Sequence, residues 1–431
     1  MNNKKNLVVL HLESLSNEIL HQERKNLPDL FELMNQSLKL NHFFSSATSS
    51  LMAFTDFLHG NDAEIEKSTS FDDLKKPSNY NDYLFNTLQK NNYGTLGIGY
   101  PKIWRDDIKA FDMWSGDEDV FEWADTPESF LTRIREFLDN QRNSDKPFAI
   151  YIWNLLSHIV YMDKTKLEGK NFFERRSLGY QSVNGTVKYL VSILKELDLF
   201  EDTIIVGFGD HGDDLWTHGL NDGFCHGIEP FINMIWTPAF IYDQRHNWKE
   251  EYNEVVSLID LRKTILGLLG IENLDLFEFS GIDILKSKNE FVFSRNLFAN
   301  QKEDSPIKRG KSTGLKKSYA VVNRHYNLIA TELGLEMYAY HIDPTNHNNL
   351  LSFFYYEGDL LDFNNRGARH AHFKKIMQED QIRHIKDNFY KLLAALRERI
   401  EMKNNLIHQE NEMNLFELTA LNKIRERTYL W

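Results

Sequence analysis

The sequence is poor in cysteine and in long apolar runs. Cys225 is the only cysteine among 431 residues, so the chain cannot form an internal disulfide or a thiolate metal cluster. No stretch without formal charge is longer than residues 147–162, which is shorter than the roughly 20 residues that a membrane helix needs. These absences exclude a disulfide framework and predict that no segment spans a membrane.

Basic residues are fewer than acidic residues. The chain has 50 Lys and Arg residues against 63 Asp and Glu residues, which gives a formal net charge of −13. A protein that binds nucleic acid through a broad basic surface is therefore disfavoured, and an anionic substrate would need a locally positive site. The apolar run at residues 7–10 is too short for a signal sequence. With the single cysteine, this predicts a cytoplasmic protein.

Three apolar runs predict the centre of the fold. Each precedes polar residues: 6–12 comes before Glu13, 148–155 before His158, and 203–208 before Asp210 and His211. Continuous apolar runs are typical of parallel strands that are buried on both faces. Helical spacing between the runs, as in residues 183–197, then favours a doubly wound α/β/α sandwich. Ligands of such sheets bind at the carboxyl ends of the strands.

The chain is too long for one compact core, and changes in composition divide it. We expect a large α/β domain over residues 1–285, a small antiparallel-sheet subdomain over 286–375 and a C-terminal helical segment over 376–431. Residues 286–314 are rich in Lys, Asn, Ser and Gly, which predicts a loop. Apolar residues at three- and four-residue spacing predict a helix over 382–400.

The most specific local motif is Gly-Asp-His-Gly-Asp at residues 209–213, directly after a predicted strand. Aspartate and neutral imidazole are good ligands of zinc or manganese, and a turn at the strand end would let Asp210 and His211 converge on one ion. Two His-Gly pairs, at His218 and His226, follow. Taken alone, an Asp-His-Gly motif is better explained by a turn with surface histidines.

This motif and its neighbours resemble the alkaline phosphatase superfamily, in the branch that contains sulfatases and lipoteichoic-acid-synthase-like phosphoglycerol and phosphoethanolamine transferases. Besides residues 203–213, four segments follow the family order: His-Leu-Glu-Ser at 11–14, the Ser/Thr-rich segment 47–60, residues 256–271 and residues 337–350. The resemblance covers residues 6–352. It implies a metal-dependent enzyme that acts on phosphate or sulfate esters.

The resemblance also implies a metal site and a nucleophile. The metal site would hold one divalent ion, and its ligands would be Glu13, Ser50, Asp210 and His211. Mn²⁺ or Zn²⁺ is the expected ion, with Mg²⁺ or Ca²⁺ as alternatives. A hydroxyl is a weak nucleophile at neutral pH and needs a bound ion to favour its alkoxide. Counting back from Gly60 favours Ser50 as the nucleophile, although Thr48 and Ser49 are close enough to stay alternatives. The Ser/Thr cluster could instead simply cap the next helix.

Other residues match the family at the transferred group. His158 and His226 would act as catalytic donors, as proton carriers to the leaving oxygen or as ligands of a second metal. Trp104 and Arg105 would contact the substrate, although they are adjacent here and separated by one residue in the family. Arginine can bind phosphate bidentately. His218 is a further candidate for binding substrate. For each of these residues, an ordinary structural or surface role is the alternative.

Departures from the sulfatase signature favour phosphate over sulfate. That signature needs a spaced proline and an arginine, whereas residues 51–54 are Leu, Met, Ala and Phe. We therefore predict a phosphodiesterase, phosphomonoesterase or headgroup transferase that acts on a small-molecule, glycan or lipid-precursor phosphate ester. Alternatives are a sulfatase-like hydrolase and a non-catalytic binding protein that retains the fold. No nucleic-acid partner is expected, and a homo-oligomer is compatible with the prediction.

Overall fold

A computed structural model describes most of the chain. The described residues are 5–62, 83–101, 121–158, 170–215, 217–218, 224–246, 248, 251–272, 279–296, 317–357, 360–366, 378–411 and 416–425. Trp104 and Arg105, two of the predicted substrate contacts, lie outside these residues.

A mixed eight-stranded sheet forms the centre of the described structure. Across the sheet, the strands are β10 (Glu251–Ser257), β2 (Leu38–Phe44), β9 (Ala239–Tyr242), β6 (Thr203–Gly209), β1 (Asn6–Leu12), β5 (Phe148–Asn154), β3 (Gly94–Tyr100) and β4 (Phe121–Trp123). β9 is antiparallel to both of its neighbours, and the other neighbouring pairs are parallel. The three strands predicted from apolar runs are confirmed as β1, β5 and β6.

Helices cover both faces of this sheet. In chain order, the α-helices of the described residues are α1 (Asn17–Gln22), α2 (Pro28–Asn35), α3 (Ser50–His59), α4 (Leu84–Lys90), α5 (Pro127–Arg142), α6 (Phe172–Glu196), α7 (Ile232–Ile235), α8 (Asp260–Leu268) and α9 (Glu379–Asn411). Successive β1 side chains enter different cores, Leu7 and Val9 on one face and Val8 and Leu10 on the other. This arrangement confirms the α/β prediction. None of the helices described here is long and apolar enough to cross a membrane.

A second, antiparallel sheet follows in the chain. It consists of β11 (Val292–Asn296), β12 (Ser318–Val322), β13 (Asn327–Thr331) and β14 (Gly334–Tyr338), in that order. Helix α9 packs on this sheet, and its buried apolar residues are Ile385, Phe389, Leu392, Leu396 and Ile400. Their spacing of three and four residues confirms the predicted apolar face. Two further antiparallel pairs are β7 (Asp214–Leu215) with β8 (Phe224–Cys225) and β15 (Phe354–Glu357) with β16 (Leu360–Arg366).

The prediction of a loop over residues 286–314 is wrong for Val292–Asn296, which form β11. Composition misled because this strand buries polar side chains with specific partners. The Arg295 guanidinium is 1% exposed and pairs with Asp56 of α3, 2.5 Å from Nη1 to Oδ2. A buried charge of this kind is tolerated only when it is paired, and the sequence does not show the pairing. The domain boundaries at 285 and 375 stay predictions.

Asp260 at the start of α8 makes stability depend on pH. Its buried carboxylate accepts hydrogen bonds from the amides of Ser257 (2.7 Å) and Ile282 (2.8 Å) and from the Asn289 side chain (2.7 Å). Burial nevertheless raises the pKa of Asp260 from 3.8 to about 6. The folded protein therefore holds this proton more tightly than the unfolded chain, and the resulting stabilisation is lost as pH rises through about 6. On going from about pH 5 to about pH 7, we expect the loss of this proton to lower the free energy of unfolding by about 1 kcal/mol.

Urea unfolding of the wild type and of Asp260→Asn at both pH values measures this effect. The wild type should lose more stability than the variant on going to the higher pH. Asp145→Asn changes an exposed carboxylate and should leave the wild-type pH dependence unaltered. Parallel pH profiles for the wild type and Asp260→Asn would contradict the assignment.

Candidate functional site

The carboxyl ends of three neighbouring strands bring the predicted residues together. β6, β1 and β5 lie side by side and run parallel. Glu13 follows β1 and Asp210 follows β6, while His158 follows a 3₁₀ turn at the end of β5. All three side chains are buried. The topology therefore gathers polar groups from distant parts of the chain at one sheet edge, as the sequence predicted.

Tight turns fix the direction of these side chains. Ser14 has a φ of 54°, in the left-handed region that non-glycine residues seldom adopt. The turn is held by hydrogen bonds from the Ser14 amide to Asp210 Oδ1 (2.9 Å) and from the Tyr180 hydroxyl to the Ser14 carbonyl (2.9 Å). Gly209 lies against it, because a Cβ there would stand 2.2 Å from the Leu15 carbonyl oxygen. This contact explains the first glycine of the Gly-Asp-His-Gly motif.

Glu13 and Asp210 are buried carboxyl groups whose charges act on one another. Burial raises the pKa of Glu13 well above its usual range, and the charge of Asp210 adds to this effect. Burial acts in the same direction on Asp210, but the His211 and His11 rings and the Ser14 amide outweigh it, so the pKa of Asp210 is lowered overall. No Lys or Arg contacts either carboxyl group in the part of the chain that the structure describes.

His11 belongs to this cluster, although the sequence did not single it out. Its Nε2 lies 2.9 Å from Asp210 Oδ2, and its Nδ1 lies 2.6 Å from the Tyr151 hydroxyl. The ring stacks on Trp153 at 4.2 Å, and the Trp153 indole donates a 2.7 Å hydrogen bond to Glu13 Oε2. The signal was present in the sequence, since residues two apart on a strand point to the same face.

Ser50 stands at the centre of the cluster as the first residue of α3. Its Oγ lies 2.9 Å from Glu13 Oε1 and 2.9 Å from His211 Nε2, and the residue is half-buried. The Thr48 hydroxyl instead donates to the Ile228 carbonyl at 2.9 Å. Ser49 is the N-cap of α3, but its side chain makes no capping hydrogen bond. Of these three hydroxyl groups, Ser50 is therefore the one placed beside the carboxylates.

Three imidazoles pack together next to Ser50, and one of them, His211, contacts its hydroxyl directly. His211 Nδ1 lies 2.9 Å from the Gly212 carbonyl, which fixes that nitrogen as the donor and leaves the Nε2 lone pair towards Ser50. His226 stacks on His211 at 4.6 Å and meets His158 edge-on at 4.9 Å. His226 Nδ1 lies 3.0 Å from Asp213 Oδ1. Burial lowers the pKa of both His158 and His211, so neutral rings are favoured.

The donor set fits a divalent cation. Two groups bring their ligand atoms close enough to share an ion: His11, Glu13 and Asp210 form one, and His211, Asp213 and His226 form the other. Although His11 Nε2 and Asp210 Oδ2 lie 2.9 Å apart, their contact lacks hydrogen-bond geometry. Buried carboxylate and imidazole ligands without a compensating cation are suited to zinc or manganese. Of the predicted ligands, Glu13 and Asp210 belong to the first group and His211 to the second, and the Ser50 hydroxyl contacts one member of each.

His218, predicted to bind substrate, lies in a separate buried pair. Its Nδ1 is 2.6 Å from Asp214 Oδ1, and its ring stacks on Phe231 at 3.7 Å. His347 approaches its edge at 5.5 Å. These contacts explain the position of the ring within the fold, and a role in substrate binding stays a prediction.

Removing the Tyr151 hydroxyl should weaken metal binding. The Tyr151 hydroxyl contacts and orients His11, whose other ring nitrogen lies beside Asp210. Groups that orient metal ligands typically contribute 10- to 100-fold to metal affinity. We expect Tyr151→Phe to bind Mn²⁺ or Zn²⁺ about 10-fold more weakly in a chelator competition. Tyr93→Phe is the matched control, because that buried hydroxyl donates to the Lys5 carbonyl instead. Equal affinities in both variants would exclude an orienting role for Tyr151.

Sequence comparison relates the chain to known proteins. The family model described as Sulfatase matches residues 5–271. The lipoteichoic acid synthase-like YvgJ of Bacillus subtilis (strain 168) is 20% identical over 350 residues, which cover 69% of this chain and 55% of that protein. The chain spans about half the length of the curated relatives that it matches.

Solved structures of two kinds share the fold. The lipoteichoic acid synthase LtaP from Listeria monocytogenes superposes with a TM-score of 0.54 and 19% identity, covering 76% of this chain and 83% of that chain. A protein solved with its substrate D-glucosamine-2-N,6-O-disulfate gives a TM-score of 0.64 and 13% identity, covering 95% and 100%. The fold alone therefore does not separate phosphate from sulfate chemistry.

Proposed function

The chain belongs to the sulfatase family, and from this premise we propose that it is a metal-dependent phosphoryl-transfer enzyme with Ser50 as its nucleophile. The observation that carries the proposal is the place of the Ser50 hydroxyl, 2.9 Å from both Glu13 Oε1 and His211 Nε2. A serine needs such an activating environment to attack an ester at neutral pH.

Glu13, Ser50, Asp210 and His211 would hold the metal, with His11 beside them. When bound, the ion would lower the pKa of the coordinated hydroxyl and neutralise charge on the ester. Glu13 Oε1 and the His211 Nε2 lone pair both face the Ser50 hydroxyl at 2.9 Å, and these two groups are placed to take its proton. The first-turn amides of α3 have no helical acceptors and would face the anionic oxygens.

His158 and His226 would serve the leaving group. In the proposed reaction, Ser50 Oγ forms a bond to phosphorus while the bond to the leaving oxygen breaks. That oxygen needs a proton, which we assign to His226; the buried neutral ring of His158, edge-on to His226, would contribute an N–H hydrogen bond instead. Attack by water or by an acceptor hydroxyl on the phosphoserine then restores the free Ser50. Hydrolysis and transfer differ only in that second nucleophile.

The residues after Ser50 support phosphate rather than sulfate as the substrate. The sulfatase signature needs an arginine in this turn of helix. Here Leu51, Met52, Ala53 and Phe54 are at most 5% exposed and pack in the core. A charged side chain could not replace them without losing that packing. Ser50 is thus proposed to react as an unmodified serine.

A panel of chromogenic esters tests the function. Purified protein loaded with Mn²⁺, Zn²⁺, Mg²⁺ or Ca²⁺ would be assayed on matched nitrophenyl phosphomonoester, phosphodiester, phosphonate ester and sulfate ester substrates. We expect turnover of a phosphate ester with Mn²⁺ or Zn²⁺. Faster hydrolysis of the sulfate ester would instead support the sulfatase alternative, and no turnover with any metal would favour a binding protein.

Four further properties of the protein remain predictions. These are the cytoplasmic location, the homo-oligomer, a second metal near His158 and His226, and contact of Trp104 and Arg105 with the substrate. The proposed substrate is a small-molecule, glycan or lipid-precursor phosphate ester.

A further inference from the structure

Thr48 joins the segment that carries Ser50 to the segment that carries His226. Its carbonyl accepts a 2.7 Å hydrogen bond from the Gly227 amide, and its hydroxyl donates a 2.9 Å hydrogen bond to the Ile228 carbonyl. Thr48 is fully buried. Two hydrogen bonds from one residue therefore fix the register between these segments.

Asn296, the last residue of β11, also forms a hydrogen bond to the backbone of the His226 segment. Its side-chain amide donates a 2.7 Å hydrogen bond to the Gly227 carbonyl. The preceding residue, Arg295, donates to the Ser46 carbonyl from its backbone amide (3.1 Å) and from Nη1 (3.0 Å). Adjacent residues of the second sheet thus contact both segments.

The backbone held in this way controls the direction of His226. Gly227 has a φ of 68°, so the chain turns sharply there. On one side of the turn the His226 ring lies against His211 and His158, and on the other side Ile228 is fully buried. A shift of the Gly227 peptide would therefore move the ring relative to Ser50.

We propose that Thr48 and Asn296 are positioning residues that hold His226 in register with Ser50. This inference rests on the proposed function and deepens it, because the segment that leads into Ser50 would also hold a second residue of the proposed catalytic site in place. Neither side chain contacts the cluster of carboxylates directly; both act through the backbone of Gly227 and Ile228.

Thr48→Val tests the proposal because valine keeps the shape and removes the hydroxyl. A displacement of about 1 Å in a catalytic group can cost as much as 100-fold in rate. We expect kcat to fall about 10- to 100-fold in Thr48→Val and in Asn296→Ala, with KM and bound metal unchanged. Thr48→Ser, which retains the hydroxyl, should restore most of the activity. Combining Thr48→Val with Asn296→Ala should cost less than the product of the two effects, since both hold one backbone segment.

Thr55→Val is the matched control. Its buried hydroxyl donates to the Leu51 carbonyl within α3 at 2.9 Å, away from the His226 segment. This variant should retain the wild-type kcat. Ring signals of ¹⁵N-labelled histidine, assigned with His226→Gln, provide a readout that does not depend on turnover. The His226 signals should shift in Thr48→Val and stay in place in Thr55→Val.

The outcomes separate the two proposals. Unchanged kcat and unchanged His226 signals in Thr48→Val would overturn the positioning role and leave the proposed function intact. Loss of all turnover in Thr48→Val, with activity retained in Ser50→Ala, would make Thr48 the nucleophile and overturn both. A wild type without activity, but with His226 signals that shift in Thr48→Val alone, would refute the proposed function and support the positioning role.

Discussion

Ser50→Ala is expected to abolish turnover, with kcat reduced about 10³-fold or more, because the attacking oxygen is removed. The fold should survive, since Ser50 is half-buried at the first position of α3 and alanine favours helix. The side-chain interactions that would be lost are those with Glu13 and His211. The measurement is the initial rate on the best ester of the panel, with circular dichroism as a check on folding.

Ser49→Ala is the matched control for this substitution. Ser49 is the neighbouring N-cap, and its hydroxyl makes no capping hydrogen bond, so its loss should leave the rate near that of the wild type. Acid quenching during turnover should trap a phosphorylated peptide that contains Ser50, detectable by mass spectrometry. Turnover by Ser50→Ala, or a phosphate on Thr48, would refute the assignment of the nucleophile.

The sequence predicts a site residue best where that residue directly follows a buried parallel strand. Glu13 and Asp210 follow apolar runs directly, and parallel strands necessarily end at the same edge, so their meeting needed only the order of the strands. Ser50 lies outside such a strand end, and its position followed from the resemblance to a family. The structure brings its hydroxyl to Glu13 through the turn before α3.

What the sequence missed depends on partners that are distant in the chain. His11 interrupts an apolar strand, and only its contacts with Tyr151 and Trp153 show why it is buried. Likewise, β11 carries Arg295, whose partner Asp56 lies 239 residues away. Local composition places the Arg295 segment in a loop and gives no reason to bury a histidine within a strand. Their burial follows from ion pairs and hydrogen bonds that local sequence patterns do not reveal.

Asp210→Asn is expected to remove the metal together with the activity. The amide keeps the shape of the side chain, and its oxygen can still accept hydrogen bonds from the amides of Ser14 and His211. It lacks the negative charge that attracts a cation. Elemental analysis should therefore find far less bound metal per chain than in the wild type, and turnover should fall by at least about 100-fold.

Thermal unfolding supplies a second measure of the same effect. A ligand that binds only the folded state stabilises it, by about 2.7 kcal/mol at 100 times its Kd. The wild-type Tm should thus rise when Mn²⁺ or Zn²⁺ is added, and the Tm of Asp210→Asn should not. Asp243→Asn is the matched control, because Asp243 is also buried but pairs with Arg245 and His246 at 3.1 and 2.9 Å. That variant should keep both its metal and the rise in Tm.

Asp213→Asn tests which of the two candidate groups of ligands holds the ion. Asp213 shares one group with His211 and His226, whereas Asp210 shares the other with His11 and Glu13. If the ion that activates Ser50 is held by Glu13 and Asp210, Asp213→Asn should retain it and Asp210→Asn should lose it. The reverse result would move the ion towards His226. Equal metal content in Asp210→Asn and the wild type would contradict the assignment of Asp210 as a ligand, and with it the activation of Ser50 at this sheet edge.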